Sequence, residues 1–302
     1  MMDNVFRRYW LSAVTPLHVG TGQGIGFVDL PVARERATAW PFVPGSSVKG
    51  VVREYFGARG ESEQWLKQAF GTAGNSGAQA GAPASAETGG AQAGALVFTD
   101  SSIVCLPIRS LYGTFAYVSA PLVLKRLARG TAEELPKAPT CGETQVLVPA
   151  DSVLKAPDNK RVYLEDLDFD SLDSEEAEKW AEFIGEALFA DDKEWEQVFK
   201  RRFLIISDDH FNFLCKTATE VNPRIRIDPN KGTVAIGAYW YEENLPAETI
   251  MSGLVWCDAS TREREEMMEK LPREAVTLQI GGHASTGHGR VYCRFVSEEG
   301  SK

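Results

Sequence analysis

One acidic residue, Asp29, follows a run of alternating glycines, and this pairing is the strongest chemical signal in the sequence. The glycines occupy every second position from Gly20 to Gly26, and a helix start, GSSVKG, follows at residues 45–50. Glycine allows a backbone to approach a ligand closely, and a helix N-terminus offers unpaired N–H groups to an anion. A single carboxylate beside such a surface indicates chemistry on a polyanion.

The short helix expected after the glycine run carries two cations on one face. Lys49 and Arg53 are four positions apart, so they lie one turn apart on the same side of the helix. Ser46 or Ser47 is expected to cap this helix, and Gly57 is expected to end it. The pattern favours binding of phosphate groups, and a capped surface helix is the alternative.

Neither glycine loop matches a nucleotide-binding motif. The first has the spacing G-x-G-x-G-x-G instead of the G-x-G-x-x-G of dinucleotide-binding folds. In the second, at residues 281–289, Gly282 and Gly287 have the separation of a P-loop, but His288 occupies the position that requires lysine. Two such loops suit an extended backbone ligand instead.

Individually, the candidate site residues also fit structural roles. Asp29 is an acid in an apolar context, which is typical of a loop cap, and His18 directly before the glycines is typical of a structural histidine. The Asp208-Asp209-His210 triplet is interpreted as an exposed turn in preference to a metal cluster. No G-x-S-x-G or H-E-x-x-H motif occurs, so serine hydrolases and zinc proteases gain no support.

The composition is that of an intracellular globular protein. The chain has 302 residues, 43% of them hydrophobic, which is enough for one large domain or two small ones. No apolar stretch of about 18 residues predicts a membrane span, and the N-terminal apolar run is too short for a signal peptide. The cysteines are few and far apart, so we expect reduced, buried thiols and a cytoplasmic protein with no membrane partner.

Negative charge is concentrated in one segment. Residues 165–196 contain fourteen acids and two lysines, a net charge of −12, whereas the whole chain carries −10. The rest of the chain is therefore near +2, which leaves room for a basic groove elsewhere. Asp173 and Glu176 fit a capping box, and apolar residues from Trp180 to Leu188 repeat at helical spacing, so we expect a helix with a solvated acidic face.

Periodicity and turn signals outline the remaining elements, which together predict an α+β fold. Residues 224–241 are the clearest hairpin, with a Pro-Asn-Lys-Gly turn between two alternating runs. Residues 71–94 are nearly all Gly, Ala, Ser, Thr and Gln, which predicts a loop. The other expected elements are strands at 6–19, 95–105 (interrupted at Thr99-Asp100), 275–280 and 291–295, and helices at 47–56 and 119–129.

Six segments, in order along the chain, resemble one protein family. They are TPLHVGTGQGIGFVDLP, the Arg-Glu-Arg at 34–36, FVPGSSVKG, PIRSLYGTFAYVSAP, VNPRIRID and GGHASTGHGR. Together they are similar to the repeated backbone subunit of the type III-B CRISPR effector, the Cmr complex, within the RAMP superfamily. The resemblance covers nearly the whole chain apart from the Gly/Ala loop and much of the acidic segment.

The resemblance implies a ferredoxin-like, RRM-related palm, built from the N- and C-terminal segments of a single domain at residues 1–302. Irregular insertions would interrupt it. They are a flexible Gly/Ala loop at 71–94, an acidic helical insertion at 165–200 and a thumb β-hairpin at about 208–245.

The resemblance also implies an activity in antiviral defence. Several copies of the subunit, in a filament with other effector subunits, would line one CRISPR guide RNA and cut the paired single-stranded target RNA at regular intervals. Asp29 matches the acid tied to cleavage, Glu242 is the nearest match to a second functional acid, and His18 is a further catalytic candidate. The predicted RNA-binding residues are Gly20, Gly22, Ser46, Ser47, Lys49, Arg53, Arg224, Arg226, Gly281, Gly282, Gly287, Gly289 and Arg290.

The expected chemistry is attack of the RNA's own 2′-hydroxyl on the adjacent phosphate, once a kink has brought the reacting atoms into line. Asp29 would act as a base, or as the ligand of a divalent cation such as Mg²⁺ or Mn²⁺. The sequence leaves these two roles open.

Two other functions compete with this one. A non-cleaving RNA-binding scaffold of the same superfamily would depend on Lys49, Arg53 and the loop at 281–289, but not on Asp29. A sugar- or nucleotide-modifying enzyme would pair the carboxylates of Asp29 and Asp100 in a compact pocket.

Overall fold

The computed structural model of the protein describes residues 6–20, 28–72, 92–129, 135–227, 231–259 and 261–297. Its strands are β1 (Phe6–Ala13), β2 (Phe42–Val43), β3 (Gly71–Thr72), β4 (Gln92–Ala93), β5 (Leu96–Phe98), β6 (Ser101–Arg109), β7 (Phe115–Ser119), β8 (Gln145–Val148), β9 (Arg161–Leu164), β10 (Leu167–Asp173), β11 (Phe203–Ile205), β12 (Glu220–Ile227), β13 (Val234–Asn244), β14 (Ile250–Cys257), β15 (Val276–Gln279) and β16 (Arg290–Ser297). Its helices are α1 (Gly45–Ala58), α2 (Glu63–Phe70), α3 (Pro121–Ala128), α4 (Glu175–Phe189), α5 (Lys193–Lys200), α6 (Asp208–Thr217) and α7 (Thr261–Lys270). The predicted α+β class is confirmed.

The main sheet is built around β1, whose backbone is paired on both edges. Antiparallel strands β14 and β16 flank it, so that Arg8 lies opposite Leu254 on one side and Val296 on the other. The strand order is β15-β16-β1-β14-β6-β7-β11-β8-β10-β9, with β2 beside β6 and β5 beside β14. Because neighbours along a strand point to opposite faces, Tyr9 and Trp10 lie in two separate apolar cores.

Helices supply apolar side chains to both of these cores. Helices α1 and α2 contribute Val52, Phe56 and Trp65 to the core of Tyr9. Helices α4 and α5 contribute Trp180 and Phe199 to the core of Trp10. Burial on both faces explains why β1 is an almost continuously buried strand rather than an alternating one.

Helix α4 confirms the predicted apolar stripe and corrects the position of its cap. Trp180 and Leu188 are buried, as their spacing predicts. The N-cap is Ser174, whose hydroxyl oxygen accepts the N–H of Ala177 at 3.2 Å. The predicted capping role of Asp173 is wrong, because this residue still belongs to β10.

Three other expectations need correction. The first strand ends at Ala13 rather than at residue 19, because residues 14–20 leave the sheet and pair singly with distant segments. The exposed turn expected at residues 208–210 is wrong, since these residues form the first turn of α6 and Ser207 caps them. Helix α1 continues past Gly57 instead of ending there.

Most other predicted elements are present. The strand at 95–105 is interrupted at the expected point, between β5 and β6, and the helix at 119–129 is α3. The strands expected at 275–280 and 291–295 are β15 and β16. Of the predicted loop at 71–94, the two ends pair as β3 and β4, and residues 73–91 lie outside the described residues.

Strands β12 and β13 form the predicted hairpin, which is a separate two-stranded sheet. In its register Arg224 lies opposite Trp240, and Asn222 lies opposite Glu242. Residues 228–230 of the turn are not among those described. Because side chains alternate between faces, Arg224, Trp240 and Glu242 share one side of the hairpin, which we call the inner face.

Within the described ranges, no helix is long and apolar enough to cross a membrane. The cysteines are all free; Cys141 is half-buried and the others are buried, as the sequence predicts. Burial raises the pKa of the Cys141 thiol to about 11. Such a thiol is protonated and unreactive at neutral pH.

Two phenylalanines on α6 provide a matched test of this packing. Phe211 is fully buried and meets Trp40 edge-on with 5.3 Å between ring centroids, whereas Phe213 is 51% exposed. We expect Phe211→Ala to lower the free energy of unfolding by about 3–5 kcal/mol, because it leaves a cavity. Phe213→Ala should change it by less than about 1 kcal/mol. Urea denaturation followed by fluorescence measures both, and equal losses would contradict the packing.

Candidate active site

Asp29 lies at the free edge of β13, near the end of the hairpin. Leu30 donates its N–H to the Tyr241 carbonyl at 3.1 Å and accepts the Glu243 N–H at 3.0 Å, which makes a short parallel pairing. The Asp29 carboxylate extends this pairing, because its Oδ2 accepts the Tyr241 N–H at 2.8 Å. The side chain is exposed, and its second oxygen has no hydrogen-bond partner in the described part of the chain. Asp29 therefore caps a backbone N–H and still offers an oxygen to solvent.

Glu243 fixes the segment that follows Asp29. Its buried carboxylate accepts hydrogen bonds from the Val32 N–H at 2.9 Å, the Arg34 guanidinium at 2.5 Å and the Thr219 hydroxyl at 2.8 Å. Removing one partner from a buried ion pair is costly, so these bonds hold the segment in one position. No pattern in the sequence marks Glu243, because its partners come from distant parts of the chain.

His18 is attached to the same strand. Leu17 exchanges two backbone hydrogen bonds of 2.9 Å with Leu245, just past the end of β13. The Nδ1 of the buried His18 ring lies 2.7 Å from the Glu243 carbonyl oxygen. A carbonyl only accepts, so Nδ1 carries the proton and a neutral ring has its lone pair on Nε2. That atom faces Gly20, where an added Cβ would lie 2.8 Å from it.

Glu242 lies in a polar network on the inner face of the hairpin. Its side chain is only 2% exposed and accepts hydrogen bonds from Arg224 Nε at 2.9 Å and from the Trp240 indole at 2.8 Å. Burial acts to raise the pKa of this carboxyl, but the hydrogen bonds from Trp240 and Arg224, together with the charges of His283 and Arg224, hold the pKa below its usual value. Glu242 is therefore a buried, ionised group, and it directly follows Tyr241, whose N–H binds Asp29.

Two more histidines complete this network, so that three of the chain's four histidines meet here. The Nε2 of His283 lies 3.6 Å from Glu242 Oε1. The His283 ring centroid is 5.0 Å from that of His18 and 6.1 Å from that of His288. Arg224 in turn donates to His288 Nε2 at 3.2 Å. The sequence gives His283 no role; its only signal is a histidine placed inside a glycine loop.

The glycine loop at 281–289 packs against the chain around His18. Gly281 has a φ of +80°, and a Cβ there would lie 2.1 Å from the His18 carbonyl oxygen, so no larger residue fits. Gly282 donates its N–H to the same oxygen at 2.9 Å. Gly289 also has a φ of +80° and no room for a side chain. These glycines thus bring the loop and His18 together.

The N-terminus of α1 is already occupied by an acid. Gly45 donates its N–H to the Asp100 carboxylate at 2.8 Å, which suits the positive end of the helix dipole. The N-cap residue is Pro44, so the capping role predicted for Ser46 or Ser47 is wrong. Asp100 therefore has a structural partner of its own, and no hydrogen bond joins it to Asp29.

The two predicted cations of α1 do share one face, and they differ in their contacts. Arg53 donates to the Gly71 carbonyl at 3.0 Å. Lys49 is half-buried and has no ion pair with any residue that the structure describes, and burial lowers the pKa of its amine. Lys49 is thus a cation available to an anion from outside the chain.

A sequence profile of the RAMP superfamily matches residues 10–292. The chain belongs to the RAMP superfamily. The matched residues include the Asp29 segment, both strands of the hairpin and the glycine loop.

Known Cmr proteins are similar to this chain over nearly its whole length. The CRISPR system Cmr endoribonuclease Cmr4 of Pyrococcus furiosus is 33% identical over 291 residues, which cover 93% of this chain and 92% of the relative. A crystal structure of oligomeric Cmr4 from the same organism has a TM-score of 0.72 at 25% identity and covers 97% of this chain and 98% of that one. A cryo-EM structure of the type III-B Cmr-beta bound to cognate target RNA has a TM-score of 0.68 at 17% identity, covering 96% of each chain, and shows the shared fold.

The structure of this RAMP protein brings together only part of the predicted site. The residues that meet at the base of the hairpin are His18, Gly20, Asp29, Arg224, Glu242, Gly281 and Gly282. Of the other two loop glycines, Gly289 packs against Ile280, and an added Cβ at Gly287 would meet no atom within 4 Å. Ser46, Ser47, Lys49 and Arg53 lie on α1, which makes no hydrogen bond or ion pair to that group. Arg226 and Arg290 are exposed, and Gly22 lies outside the described residues.

The side of the hairpin opposite the inner face is apolar and exposed; we call it the outer face. Val221, Ile225, Tyr239 and Tyr241 are between 37% and 53% exposed, and the hydroxyls of the two tyrosines are joined by a hydrogen bond of 2.7 Å. A contiguous apolar surface of this kind marks a contact site. The alternation in the sequence predicts that two faces exist, but not which of them is covered.

Two glycines with similar positive φ angles test how the RAMP glycine loop is packed. Gly281 and Gly287 have φ values of +80° and +85°, so alanine meets similar backbone strain at both, about 1–2 kcal/mol. Only at Gly281 does the new Cβ collide, 2.1 Å from the His18 carbonyl oxygen, while at Gly287 no atom lies within 4 Å. We expect Gly281→Ala to lower the free energy of unfolding by at least about 1 kcal/mol more than Gly287→Ala does. Chemical denaturation measures the difference, and equal effects would contradict the docking of the loop on His18.

Proposed function

We propose that the chain is the guide-RNA-binding backbone subunit of a type III-B CRISPR effector, and that it cleaves complementary target RNA in antiviral defence. The observation that carries the proposal is its 33% identity, over 93% of its length, to the Cmr endoribonuclease Cmr4. Copies of the chain would stand side by side along one guide RNA with other effector subunits, so that cuts fall at regular intervals. The oligomeric Cmr4 crystal structure supports this arrangement.

The proposed function also gives each region of the fold a counterpart in the predicted palm, thumb and acidic insertion. The sheet around β1 would be a ferredoxin-like, RRM-related palm, and its central strands β1, β14 and β16 do come from both ends of the chain. The hairpin of β12 and β13 would be the thumb, within the segment predicted at about 208–245. Helices α4 and α5 would form the acidic insertion predicted at 165–200.

The hairpin base suits cleavage by the RNA's own 2′-hydroxyl. That attack requires the 2′-oxygen, the phosphorus and the leaving 5′-oxygen to be in line, and a wedge that splays the RNA provides such a kink. Tyr239 and Tyr241 on the outer face offer aromatic rings for unstacked bases. Asp29 is bound to the same strand, so its free oxygen would lie beside the kinked backbone. We assign to this oxygen the role of accepting the 2′-hydroxyl proton.

Glu242 and His18 would support this carboxylate. Glu242 holds Arg224 on the inner face, where the guanidinium is near the end of the hairpin that would meet the RNA. His18 presents the lone pair of Nε2 towards Gly20. Both residues thus place charge and hydrogen-bonding capacity around the phosphate to be cleaved.

A divalent cation, Mg²⁺ or Mn²⁺, fits this site together with the RNA. No group of three or more His, Cys, Asp or Glu side chains in the described ranges is arranged to hold a metal ion. Magnesium is commonly held by one or two carboxylates plus substrate phosphates, and Asp29 offers one free oxygen. In this alternative role the oxygen would hold the cation together with the RNA phosphates instead of taking up the proton, and the cation would supply positive charge at the cleaved phosphate.

Binding of the guide strand by the protein should not depend on the RNA sequence, because base pairing between guide and target determines which target is recognised. Lys49 on α1 has no ion pair with a described residue, and Arg226 and Arg290 are exposed. Contacts of such cations to phosphates position an RNA without reading its bases. These residues, with Arg53 and the backbone of the glycine loop, are the proposed guide-binding surface.

Asp29→Asn tests the cleavage role without removing the cap on Tyr241. The asparagine oxygen still accepts the Tyr241 N–H, but the side chain no longer takes up a proton. We expect target cutting by the reconstituted guide complex to fall about 10²–10⁴-fold, with guide and target binding unchanged. Chelation of divalent cations should stop cutting as well. Asp209→Asn, an exposed acid on α6, is the matched control and should cut normally.

Normal cutting by the Asp29→Asn complex would refute the cleavage role. The chain would then be the non-cleaving scaffold of such a complex, and its partners would carry the chemistry.

Lys49→Ala tests the proposed binding of a guide-strand phosphate by this residue. If Lys49 neutralises one phosphate, its loss should weaken guide binding and reduce the slope of log K against log salt by about 0.7, the value for one contact to a single strand. Lys67→Ala, on the exposed surface of α2, should leave the slope unchanged. Fluorescence anisotropy of labelled guide RNA over a salt series measures both variants, and an unchanged slope for Lys49→Ala would remove it from the surface.

A further inference from the structure

His283 has the features of a proton-transfer group, and the proposed function leaves it without a role. Its side chain is 29% exposed and lies in the glycine loop at the base of the hairpin. Its Nε2 faces the buried Glu242 carboxylate, 3.6 Å from Oε1. A carboxylate on one ring nitrogen orients an imidazole and stabilises its protonated form, which leaves the other nitrogen to exchange protons with a substrate.

The two neighbouring histidines have different partners. His288 accepts a hydrogen bond from Arg224 on Nε2 at 3.2 Å, and its Nδ1 lies 3.1 Å from the Thr286 hydroxyl. The Arg224 bond requires a lone pair on the His288 ring, which is therefore neutral in this arrangement. His18 donates from Nδ1 to a backbone carbonyl. Of these three rings only that of His283 has a carboxylate within 4 Å, and its Nδ1 has no hydrogen bond to a described residue.

The backbone at His283 is strained, and neighbouring bonds hold it. Its φ of +63° lies in the left-handed region that residues other than glycine seldom adopt. The His283 carbonyl accepts the Thr286 N–H at 2.9 Å, the Thr286 hydroxyl at 2.9 Å and the His288 N–H at 3.3 Å. Strained positions that their surroundings over-determine in this way cluster at active sites.

We propose that His283 is the general acid of the cleavage reaction and protonates the leaving 5′-oxygen of the target RNA. This role rests on the proposed function. In the step, the 2′-oxygen bonds to phosphorus as its proton passes to Asp29. The bond between phosphorus and the 5′-oxygen breaks, its electron pair stays on the 5′-oxygen, and that oxygen takes the proton from Nδ1 of His283. The products are a 2′,3′-cyclic phosphate and a 5′-hydroxyl; Asp29 then releases its proton to solvent, and His283 regains a proton from solvent.

The charges that face His283 suit this cycle. Burial lowers the pKa of His283, Glu242 on β13 acts to raise it, and Arg224 on β12 acts to lower it; His18 and His288 lower it only when their own rings are protonated. An RNA phosphate at the site adds a negative charge, which favours the protonated ring. In the free protein these effects together lower the pKa of His283, so the protonated ring that a general acid requires depends on Glu242 and on the negative charge of the bound RNA.

The test compares two target RNAs in the reconstituted guide complex. One is unmodified, and the other carries sulfur in place of the bridging 5′-oxygen at a mapped cut site. A thiolate leaves without being protonated, because it is a far more stable anion than an alkoxide. We expect His283→Asn to slow cutting of the oxygen substrate about 10²–10⁴-fold and to cut the sulfur substrate at nearly the wild-type rate. Asparagine tolerates the left-handed backbone, and His283→Gly, which removes the strain, should behave in the same way.

His210→Asn is the matched control, since this histidine lies on α6 and bonds to Ser207; it should cut both RNAs at wild-type rates. Equal slowing of both substrates by His283→Asn would mean a structural role and would overturn the assignment. Wild-type cutting of the oxygen substrate by that variant would overturn it too. Failure of the wild-type complex to cut either RNA would refute the proposed cleavage function itself, and the inference with it.

Discussion

The free edge of β13 is the constraint on which the site depends. A strand edge carries N–H and C=O groups that must find partners, and here two chain segments supply them. Leu30 and the Asp29 carboxylate pair with the edge at Tyr241, and Leu17 pairs just beyond it with Leu245. Because both segments bind one strand, Asp29, His18 and the hairpin are held in a fixed relation. The buried Glu243 carboxylate then prevents the Asp29 segment from leaving that edge.

The two faces of the hairpin differ in polarity and in exposure to solvent. The inner face buries an ionised carboxylate, which is stable there only because Arg224 and Trp240 satisfy its oxygens. The outer face leaves Ile225 and Tyr239 in solvent. The Glu242 network thus lies on the side that packs against the glycine loop, whereas the open side exposes apolar and aromatic side chains beyond the buried Glu243. A two-stranded ribbon is marginal alone, so the inner network also stabilises the hairpin.

Local patterns in the sequence were sufficient for the elements and for part of the site. Alternation and turn residues predict the hairpin, helical spacing predicts α4, and the glycine run directs attention to Asp29. What could not be predicted depends on contacts between distant residues. The role of Glu243 depends on hydrogen bonds from Val32 and Arg34, which are 211 and 209 positions away along the sequence. His283 matters because Glu242 faces it. Similarly, no local pattern shows that Asp100 occupies the start of α1.

The N-cap of helix α4 could not be predicted from the sequence for a different reason. Asp173 and Ser174 are both good caps, and the choice between them is made by β10, whose pairing extends through Asp173. The sheet therefore sets the first residue of the helix, and the intrinsic preference of either side chain does not decide it.

The position of β1 has a consequence for how the chain folds as it is synthesised. Arg7 pairs with Val255 on one edge and with Ser297 on the other. The first strand therefore has no partner until residues 250–257 have left the ribosome, and it lacks its second partner until residues 290–297 follow, although its side chains are mostly apolar. Pairings of such long sequence separation form slowly, and an apolar strand exposed in the meantime invites aggregation. Closure of the main sheet is thus a late event, and the nascent chain must be protected until it occurs.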